Sequence, residues 1–320
     1  MLDRPTRILV IRFSSIGDIV LTAPALASLK EAIEGPCELH FLTKATMRSV
    51  IEGMGDLVQH IHTIDQTTSE VMEHLRDVGI DYVVDLHNNV RSRSVKRSLK
   101  LISFTVDKQN VAKWLLVRGW RKQPIPHVVE RYIHSFSGAF GAKTPDAWPP
   151  LFTETTCASA PDEPFAVIAI GATHAGKRLN GVIIDQILQQ ETRKVVLVGG
   201  PDDREQGEAI RAQHPFVLQL AGTTTLAESA ALMREAEHVY AGDTGMMHLA
   251  AALGTAVTSF WGCTRPGLGM APWKPTEGSE VISPDETLGP RPCSKLGNRS
   301  CRHTPSCMER TASKFLVKQA

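Results

Sequence analysis

The sequence predicts an α/β protein of two domains, each built on a parallel β-sheet with helices on its faces. Three observations predict this. Short apolar runs that suit buried strands alternate with helical segments along most of the chain. The length of 320 residues fits two domains better than one. A stretch at 145–164, rich in Pro, Ala and Thr, separates two such alternating halves and is interpreted as a linker.

Composition and charge narrow the class of protein. Hydrophobic residues make up 42% of the chain and charged residues 22%, which is ordinary for a soluble globular protein. The formal net charge is +1, so nothing indicates a general nucleic-acid binder. No apolar run has the length of a membrane span, and a strand predicted from residue 8 leaves no room for a signal peptide. We therefore expect a cytoplasmic protein.

The first half alternates strands and helices. The predicted strands are 7–13, 38–42, 60–64 and 82–86. The predicted helices are 25–33, with Thr22 as its N-cap and Pro24 in its first turn, then 46–52 and 69–78. A loop is expected at 14–18. Ligands of parallel sheets bind at the carboxyl ends of strands, and polar side chains fall there: Asp18, His87, Asn88, Asn89 and Arg91.

A basic, irregular run follows at 91–122. Its cations are Arg91, Arg93, Lys96, Arg97, Lys100, Lys108, Lys113, Arg118, Arg121 and Lys122, and Trp114 and Trp120 interleave with the later ones. A solvated helix face would explain such a run. A patch for an anionic partner, such as a phosphorylated sugar or lipid headgroups, would also explain it, and this is the interpretation that we favour. A helix is then predicted from about 127 to 141.

The second half repeats the alternation. The predicted strands are 165–170, 194–198, 219–222 and 256–260, with a helix at 226–236. The loop 171–178 directly follows the first of these strands, and its small residues would let the backbone approach a ligand while Lys177 or Arg178 supplies charge for phosphates. The loop comes close to a Walker motif but fails at the last position, because Arg178 has no hydroxyl for magnesium.

A strand, a tight turn and an alanine-rich helix are predicted in direct succession over 238–254. The free backbone N–H groups at such a helix start, together with the helix dipole, favour an anion and commonly a phosphate. Asp243 and Thr244 have side chains suited to cap this helix, and His248 lies about one turn further in. An N-cap on a packed core helix, without any ligand, would give the same pattern.

Six cysteines are present, and three of them crowd into the tail as Cys293, Cys301 and Cys307, with His303 between the last two. A zinc site is conceivable there, but no C-x2-C pair is present. In a cytoplasmic protein the default expectation is reduced thiols.

Several motifs together resemble glycosyltransferase family nine, the lipopolysaccharide heptosyltransferases. They are RFSSIGDIVLTAP at 12–24, VDLHNNVRS at 84–92, HVVERY at 127–132, GGP at 199–201, GDTGMMHLAAALG at 242–254, FWGCT at 260–264 and the cysteine tail. The first motif and the D-T-G-x-x-H motif are specific in combination.

The resemblance implies a GT-B fold, with two Rossmann-like domains facing a central cleft. Residues 1–144 would form the acceptor-binding domain, 145–164 the linker and 165–290 the nucleotide-sugar domain. The Cys-containing tail, 291–320, would cross back and pack on the N-terminal domain.

The activity implied is inverting transfer of a heptose from ADP-heptose to the inner core of lipopolysaccharide. Such a transfer needs a base for the acceptor hydroxyl, and Asp18 matches the base proposed for the family. An aspartate that merely caps a turn or helix is the other interpretation of Asp18. The residues expected to contact the acceptor are Ser15, Gly17, His87, Asn88 and Arg91.

Negative charge builds up on the leaving diphosphate during transfer. The resemblance implies that the second domain binds this diphosphate. Lys177 matches the family's phosphate-binding lysine, and the Thr244 and Gly245 N–H groups would add hydrogen bonds. Asp203 stands where the family often has a glutamate near the ribose, and Arg178 stands where an aromatic residue is common. The expected nucleotide-sugar contacts are Thr173, Lys177, Asp203, Asp243, Thr244, Gly245 and His248. The scheme requires no metal and no cofactor.

Two alternatives remain open. A GT-B enzyme could use another donor, such as a UDP-sugar or GDP-sugar, or the chain could be a nucleotide-binding scaffold without transferase chemistry. The partners expected are a nucleotide sugar, a lipopolysaccharide core precursor and, through the basic run, peripheral contact with the inner face of the inner membrane.

Overall fold

The computed structural model describes residues 4–284, 292–298, 301 and 303–319. The chain forms two compact units. The first comprises the chain up to Lys108 together with Val128–Thr153, and the second comprises Gln109–His127 together with the chain from Glu154 onwards. The change of unit at 153/154 lies within the predicted linker. The segment Gln109–His127, expected in the first domain, belongs instead to the second unit.

The first unit contains a five-stranded parallel sheet in the order β3-β2-β1-β4-β5. Its strands are β1 (Thr6–Ile11), β2 (Cys37–Lys44), β3 (His60–Ile64), β4 (Tyr82–Asp85) and β5 (Ile102–Thr105). The inner strand β1 is fully buried over residues 8–11, as expected for a strand covered on both faces. The strand order reverses direction at β1 and β4, so their carboxyl ends flank the topological switch point.

The second unit has a six-stranded parallel sheet in the order β11-β10-β9-β6-β7-β8. Its strands are β6 (Phe165–Ala169), β7 (Lys194–Val198), β8 (Leu218–Gln219), β9 (His238–Gly242), β10 (Val257–Phe260) and β11 (Glu280–Ile282). Counted from β6, this is the 3-2-1-4-5-6 order of a Rossmann sheet, and its switch point lies between β6 and β9.

Twelve α-helices lie among the described residues. They are α1 (Ile16–Val20), α2 (Ala23–Ala32), α3 (Arg48–Glu52), α4 (Ser69–Val78), α5 (Val90–Leu99), α6 (Asn110–Val117), α7 (Val128–Phe140), α8 (Gly181–Gln190), α9 (Arg204–Gln213), α10 (Leu226–Glu235), α11 (Gly245–Ala252) and α12 (Cys307–Gln319). Within the described ranges, none of them is both long and apolar enough to cross a bilayer.

Helix α6 and the chain after it pack within the second unit. Leu116 of α6 is buried, the Ile125 N–H donates to the Gly267 carbonyl at 3.0 Å, and a ring nitrogen of His127 hydrogen-bonds the Ala271 carbonyl at 2.9 Å. These contacts explain why the boundary at 144 predicted for the first domain is wrong for 109–127. The basic run is therefore divided: its first part forms α5 of the first unit, and its second part forms α6.

The described part of the tail packs on the second unit, so the prediction that it returns to the first domain is wrong for these residues. Met308, Ala312 and Phe315 form one buried face of α12 because they recur at helical spacing. The Phe315 ring meets the Phe260 ring edge-on, with 5.1 Å between centroids. Part of the predicted tail, 291, 299–300, 302 and 320, lies outside the described residues.

Candidate functional site

An ion pair between Arg12 and Asp18 follows the carboxyl end of β1 at the first unit's switch point. Asp18 lies on α1, the short helix that follows β1, and not in the loop that was predicted for 14–18. Its Oδ1 is 2.8 Å from a guanidinium nitrogen of Arg12, and its Oδ2 accepts from the Ser15 hydroxyl at 2.9 Å and the Ser15 N–H at 3.3 Å. Gly17 is buried in the same turn, whereas Ser15 is exposed. The carboxylate is thus held in one orientation while remaining partly exposed.

Arg12 fixes that arrangement. It is 9% exposed, donates to the Ser14 carbonyl at 2.8 Å and the Leu86 carbonyl at 2.7 Å, and lies 5.9 Å from the centre of the Tyr132 ring. Burial by itself lowers the pKa of Arg12, but Tyr132 and Asp18 outweigh it and leave the pKa above its ordinary value. Arg12 therefore keeps its charge beside Asp18. Its position directly after a buried strand was the signal that sequence reasoning overlooked.

The turn after β4 brings His87 and Asn88 to the same switch point. The Phe13 N–H donates to Nδ1 of His87 at 3.3 Å. Burial, followed by the charges of Arg12 and Lys108, lowers the pKa of His87 to about 4, so the ring is neutral near pH 7 and can accept a hydrogen bond. Asn88 has φ of +49° and donates to the Val106 carbonyl at 3.0 Å.

Buried Asp85 organises that turn. Its Oδ1 accepts from the His87 N–H at 3.0 Å and the Asn88 N–H at 2.7 Å, and its Oδ2 is 2.9 Å from Nζ of Lys96. Asn89 caps α5, because its side chain accepts from the Ser92 N–H. Arg91 is exposed at the first turn of α5. Of the predicted acceptor residues, Arg91 therefore faces solvent, whereas His87 and Asn88 line the end of β4.

In the second unit, Lys177 and Asp243 meet at the switch point between β6 and β9. Nζ of Lys177 lies 2.8 Å from Oδ2 of Asp243, and the Thr264 hydroxyl donates to the same oxygen at 2.6 Å. A Cβ on Gly242 would collide with the backbone carbonyl of Lys177, so only glycine allows this approach of the two loops. The structure thus joins two predicted residues and adds Thr264, which the sequence analysis missed.

Helix α11 begins beside this pair. Thr244 occupies the N-cap position, but the predicted side-chain cap is absent: neither its hydroxyl nor Asp243 caps the helix. The Thr244 hydroxyl is buried and has no hydrogen-bond partner among residues 4–284 and the described tail. A buried unsatisfied hydroxyl costs free energy unless a ligand or water completes it. Gly245 opens the helix, and His248 is buried one turn further in.

Asp203 has a different environment from the one expected near a ribose. Its Oδ1 is 2.7 Å from a guanidinium nitrogen of Arg178, and its Oδ2 accepts from the Gly200 N–H at 2.8 Å. Arg178 also donates to the Ala172 carbonyl at 3.2 Å, so the ion pair ties the loop after β6 to the loop after β7. Thr173 is exposed on the first of these loops. Both oxygens of Asp203 are thus engaged within the protein.

Two further clusters offer metal-ligand atoms among the described residues: Glu38 with His40 and His60, and Cys293 with His303 and Cys307. Neither includes the residues described above at the switch point of either unit.

Comparison with known proteins gives one consistent result. The model of the family described as glycosyltransferase family 9 (heptosyltransferase) matches residues 69–297. Lipopolysaccharide heptosyltransferase 1 of Pseudomonas aeruginosa is 25% identical over 288 residues, which is 82% of this chain and 80% of that protein.

Solved structures share the fold. The E. coli ADP-heptose lipopolysaccharide heptosyltransferase II has a TM-score of 0.69 at 20% identity, covering 98% of this chain and 100% of that one. The E. coli heptosyltransferase WaaC with ADP has a TM-score of 0.67 at 19% identity, covering 98% and 97%.

Proposed function

Because the chain belongs to glycosyltransferase family 9, we propose that it transfers a heptose from ADP-heptose to the inner core of lipopolysaccharide, with inversion at the anomeric carbon. The predicted enzyme class, a glycosyltransferase, is confirmed by the family, and the predicted GT-B fold is confirmed by the structural neighbours. The ADP of WaaC and the substrate named for the Pseudomonas relative support the donor and the acceptor.

One observation carries the proposal: the Lys177–Asp243–Thr264 cluster lies at the start of α11, where an unpartnered Thr244 hydroxyl is buried within the described structure. A cation, a hydroxyl donor and the N–H groups of a helix start suit a diphosphate, although the Thr244 N–H predicted for this role donates to the Gly242 carbonyl at 2.7 Å and leaves it to the N–H groups from Gly245 onwards. Asp243 orients Lys177 before the nucleotide binds, and the ammonium group then contacts the diphosphate. As the bond from the anomeric carbon to the phosphate oxygen breaks, these groups stabilise the charge that develops on ADP.

Asp18 supplies the base in this scheme. A carboxylate oxygen of Asp18 accepts the proton of the acceptor hydroxyl while the hydroxyl oxygen attacks the anomeric carbon. Arg12 and Ser15 hold the carboxylate in place, and a guanidinium nitrogen of Arg12 lies 2.8 Å from one of its oxygens. The neutral ring of His87 is suited to hydrogen-bond a sugar hydroxyl and not to protonate one.

The test is a transfer assay with ADP-heptose and a deacylated core acceptor, in which mass spectrometry follows both product and ADP. Asp18→Asn keeps the size of the side chain and removes the base, so kcat should fall by about 10²–10⁴-fold while ADP affinity stays unchanged. Asp77→Asn, an exposed substitution on α4, is the matched control. Activity of the Asp18 variant within twofold of wild type would reject the base assignment.

We also propose that the enzyme works at the inner face of the inner membrane, bound peripherally. Trp114 and Trp120 are exposed and meet edge-on, and the Arg118 guanidinium lies 4.5 Å and 5.6 Å from their ring centres. Trp120 is 67% exposed. Exposed tryptophans with a cation suit the interface of an anionic bilayer.

Flotation with phosphatidylglycerol vesicles tests this membrane proposal. Trp120→Ala and Arg118→Glu should each reduce the bound fraction, whereas Phe216→Ala, another exposed aromatic of the second unit, should leave it unchanged. Equal binding by all four proteins would reject the assignment.

A further inference from the structure

The last part of the chain gathers thiols and an imidazole away from the residues assigned to the proposed function. The ligand atoms of Cys293, His303 and Cys307 lie within 4.8 Å of one another, and Sγ of Cys301 lies 3.7 Å from Sγ of Cys307. No disulfide joins the six cysteines, all of which lie among the described residues. We propose that Cys293, Cys301, His303 and Cys307 form a structural site for one thiophilic divalent cation, Zn²⁺ in the first instance.

The spacing of one sulfur pair fits tetrahedral coordination, whereas Cys301 lies outside the three-residue group whose ligand atoms are within 4.8 Å of one another and completes the set by a shift on binding. With Zn–S bonds of about 2.3 Å, two sulfurs of a tetrahedral site stand about 3.8 Å apart, which matches the 3.7 Å between Cys301 and Cys307. Three thiolates and one imidazole are a ligand set of closed, structural zinc sites. No C-x2-C pair is needed in this arrangement, because His303, which lies between Cys301 and Cys307 in the sequence, supplies the fourth ligand.

The protein also arranges the surroundings that such a site needs. The Cys307 N–H donates to Sγ of Cys301 at 3.3 Å, a contact that orients the sulfur and favours its thiolate form. Cys307 is buried as the first residue of α12, and the Cys293 N–H donates to the Cys263 carbonyl at 3.1 Å. Both ends of the ligand set are therefore anchored to the second unit before any ion binds.

The site has a consequence for the lysine loop. Residues 292–298, here called the strap, run from the Cys293 ligand to Gly297, which has φ of +70°. A Cβ on Gly297 would lie 3.1 Å from Cγ of Lys177, and a Cβ on Gly176 would lie 2.8 Å from the Gly297 carbonyl oxygen. The strap thus packs directly on the turn that carries Lys177. A bound cation holds the strap there and pre-orders the lysine.

The direct test is the metal content of the full-length protein, purified under reducing conditions and dialysed against metal-free buffer. Plasma mass spectrometry should find about one equivalent of zinc or iron in wild type and in Cys37→Ser, a control outside the cluster. Cys293→Ser and His303→Gln, which change half-buried ligands and avoid the buried Cys307, should lose it. Metal content equal in wild type and both variants would overturn the site.

Two further readouts keep the test decisive. Cobalt added to stripped wild-type protein should give thiolate charge-transfer bands and the strong visible bands of a tetrahedral ion, which His303→Gln should weaken. Octahedral spectra would contradict the proposal. So would a thiol count that rises on reduction, because Cys301 and Cys307 would then be paired as a disulfide.

The effect on the donor rests on the proposed function, whereas the metal site does not. Stripped protein should bind ADP several-fold more weakly than the metal-loaded form, and reloading should restore the affinity. If metal is bound and lost as described but ADP affinity does not change, the coupling through the strap is wrong. If neither form binds ADP, the proposed donor is wrong while the metal site stands.

Discussion

A buried pair of histidines should make the first unit sensitive to acid. His40 on β2 and His62 on β3 are 3% and 8% exposed, and their ring nitrogens Nδ1 and Nε2 are 3.0 Å apart. Burial lowers the pKa of both rings to about 4, helped for His40 by the charge of His60 and for His62 by those of His40 and His74. Each ring is therefore neutral in the folded protein at neutral pH.

The direction of the pH effect follows from linkage. In the unfolded chain a histidine binds its proton from about pH 6.5 downwards, whereas in the folded unit these two bind only near pH 4. The stabilisation is complete above pH 6.5 and is lost as the pH falls towards 4. At about pH 5 the loss is about 2 kcal/mol for one ring, and about 4 kcal/mol is the ceiling for the pair.

The assay is urea unfolding of the full chain at about pH 7.5 and pH 5. Hydrogen exchange of peptides from β2 and β3 reports the unfolding of the first unit. The double variant His40→Asn/His62→Asn should lose about 2–4 kcal/mol less than wild type on acidification. His134→Asn, an exposed substitution on α7, should behave as wild type. An equal loss of stability in wild type and the double variant would refute the reasoning.

Two further substitutions test the second unit. Gly242→Ala should weaken ADP binding by more than tenfold in calorimetry, because its Cβ would displace the backbone of Lys177. The control Gly138→Ala places its Cβ in open space and should have no effect. Equal affinities of the two variants would contradict the close approach of the two loops. Phe315→Ala should lower the free energy of unfolding, measured in urea, by about 3–5 kcal/mol because the residue is 3% exposed in the core. The neighbouring substitution Leu316→Ala, at a residue that is 49% exposed, should cost well under about 1 kcal/mol. Similar costs would contradict the packing of α12.

Local sequence patterns were sufficient for most of the fold. Apolar runs predicted β1 to β4, β6, β7, β9 and β10, and the Thr22–Pro24 signal placed the start of α2. The short strands β5 and β11 lack a comparable apolar run, and β5 is an edge strand whose residues are exposed or half-buried. Helix α1 was missed because five residues give too little periodicity.

Tertiary attachment was harder to predict. The placement of Gln109–His127 in the second unit depends on hydrogen bonds to Gly267 and Ala271, which no local pattern encodes. The buried face of α12 and its partner Phe260 were not predicted, because the two are distant in sequence. The prediction for the tail followed the family resemblance and was overruled by burial of Met308 and Phe315.

The sequence predicted which residues belong to the candidate sites better than it predicted which partners those residues contact. Lys177 and Asp243 were both expected near a phosphate, yet their mutual ion pair and the Thr264 hydroxyl appear only in the folded chain. Asp203 was assigned from a position in the family pattern, while the structure pairs it with Arg178, the residue that departs from that pattern. Arg12 was missed because its partner carbonyl, that of Leu86, follows another strand, β4, which is distant in sequence.

The central claim is tested most directly by titrating the purified protein with ADP, UDP and GDP, and repeating the ADP titration with Lys177→Ala. ADP should bind at least about tenfold more tightly than UDP or GDP. Lys177→Ala should weaken ADP by about tenfold or more, because a charge-assisted contact is worth about 1.5–3 kcal/mol. Lys194→Ala, at the start of β7, should match wild type. A preference for UDP or GDP, or ADP affinity unchanged in Lys177→Ala, would contradict the account.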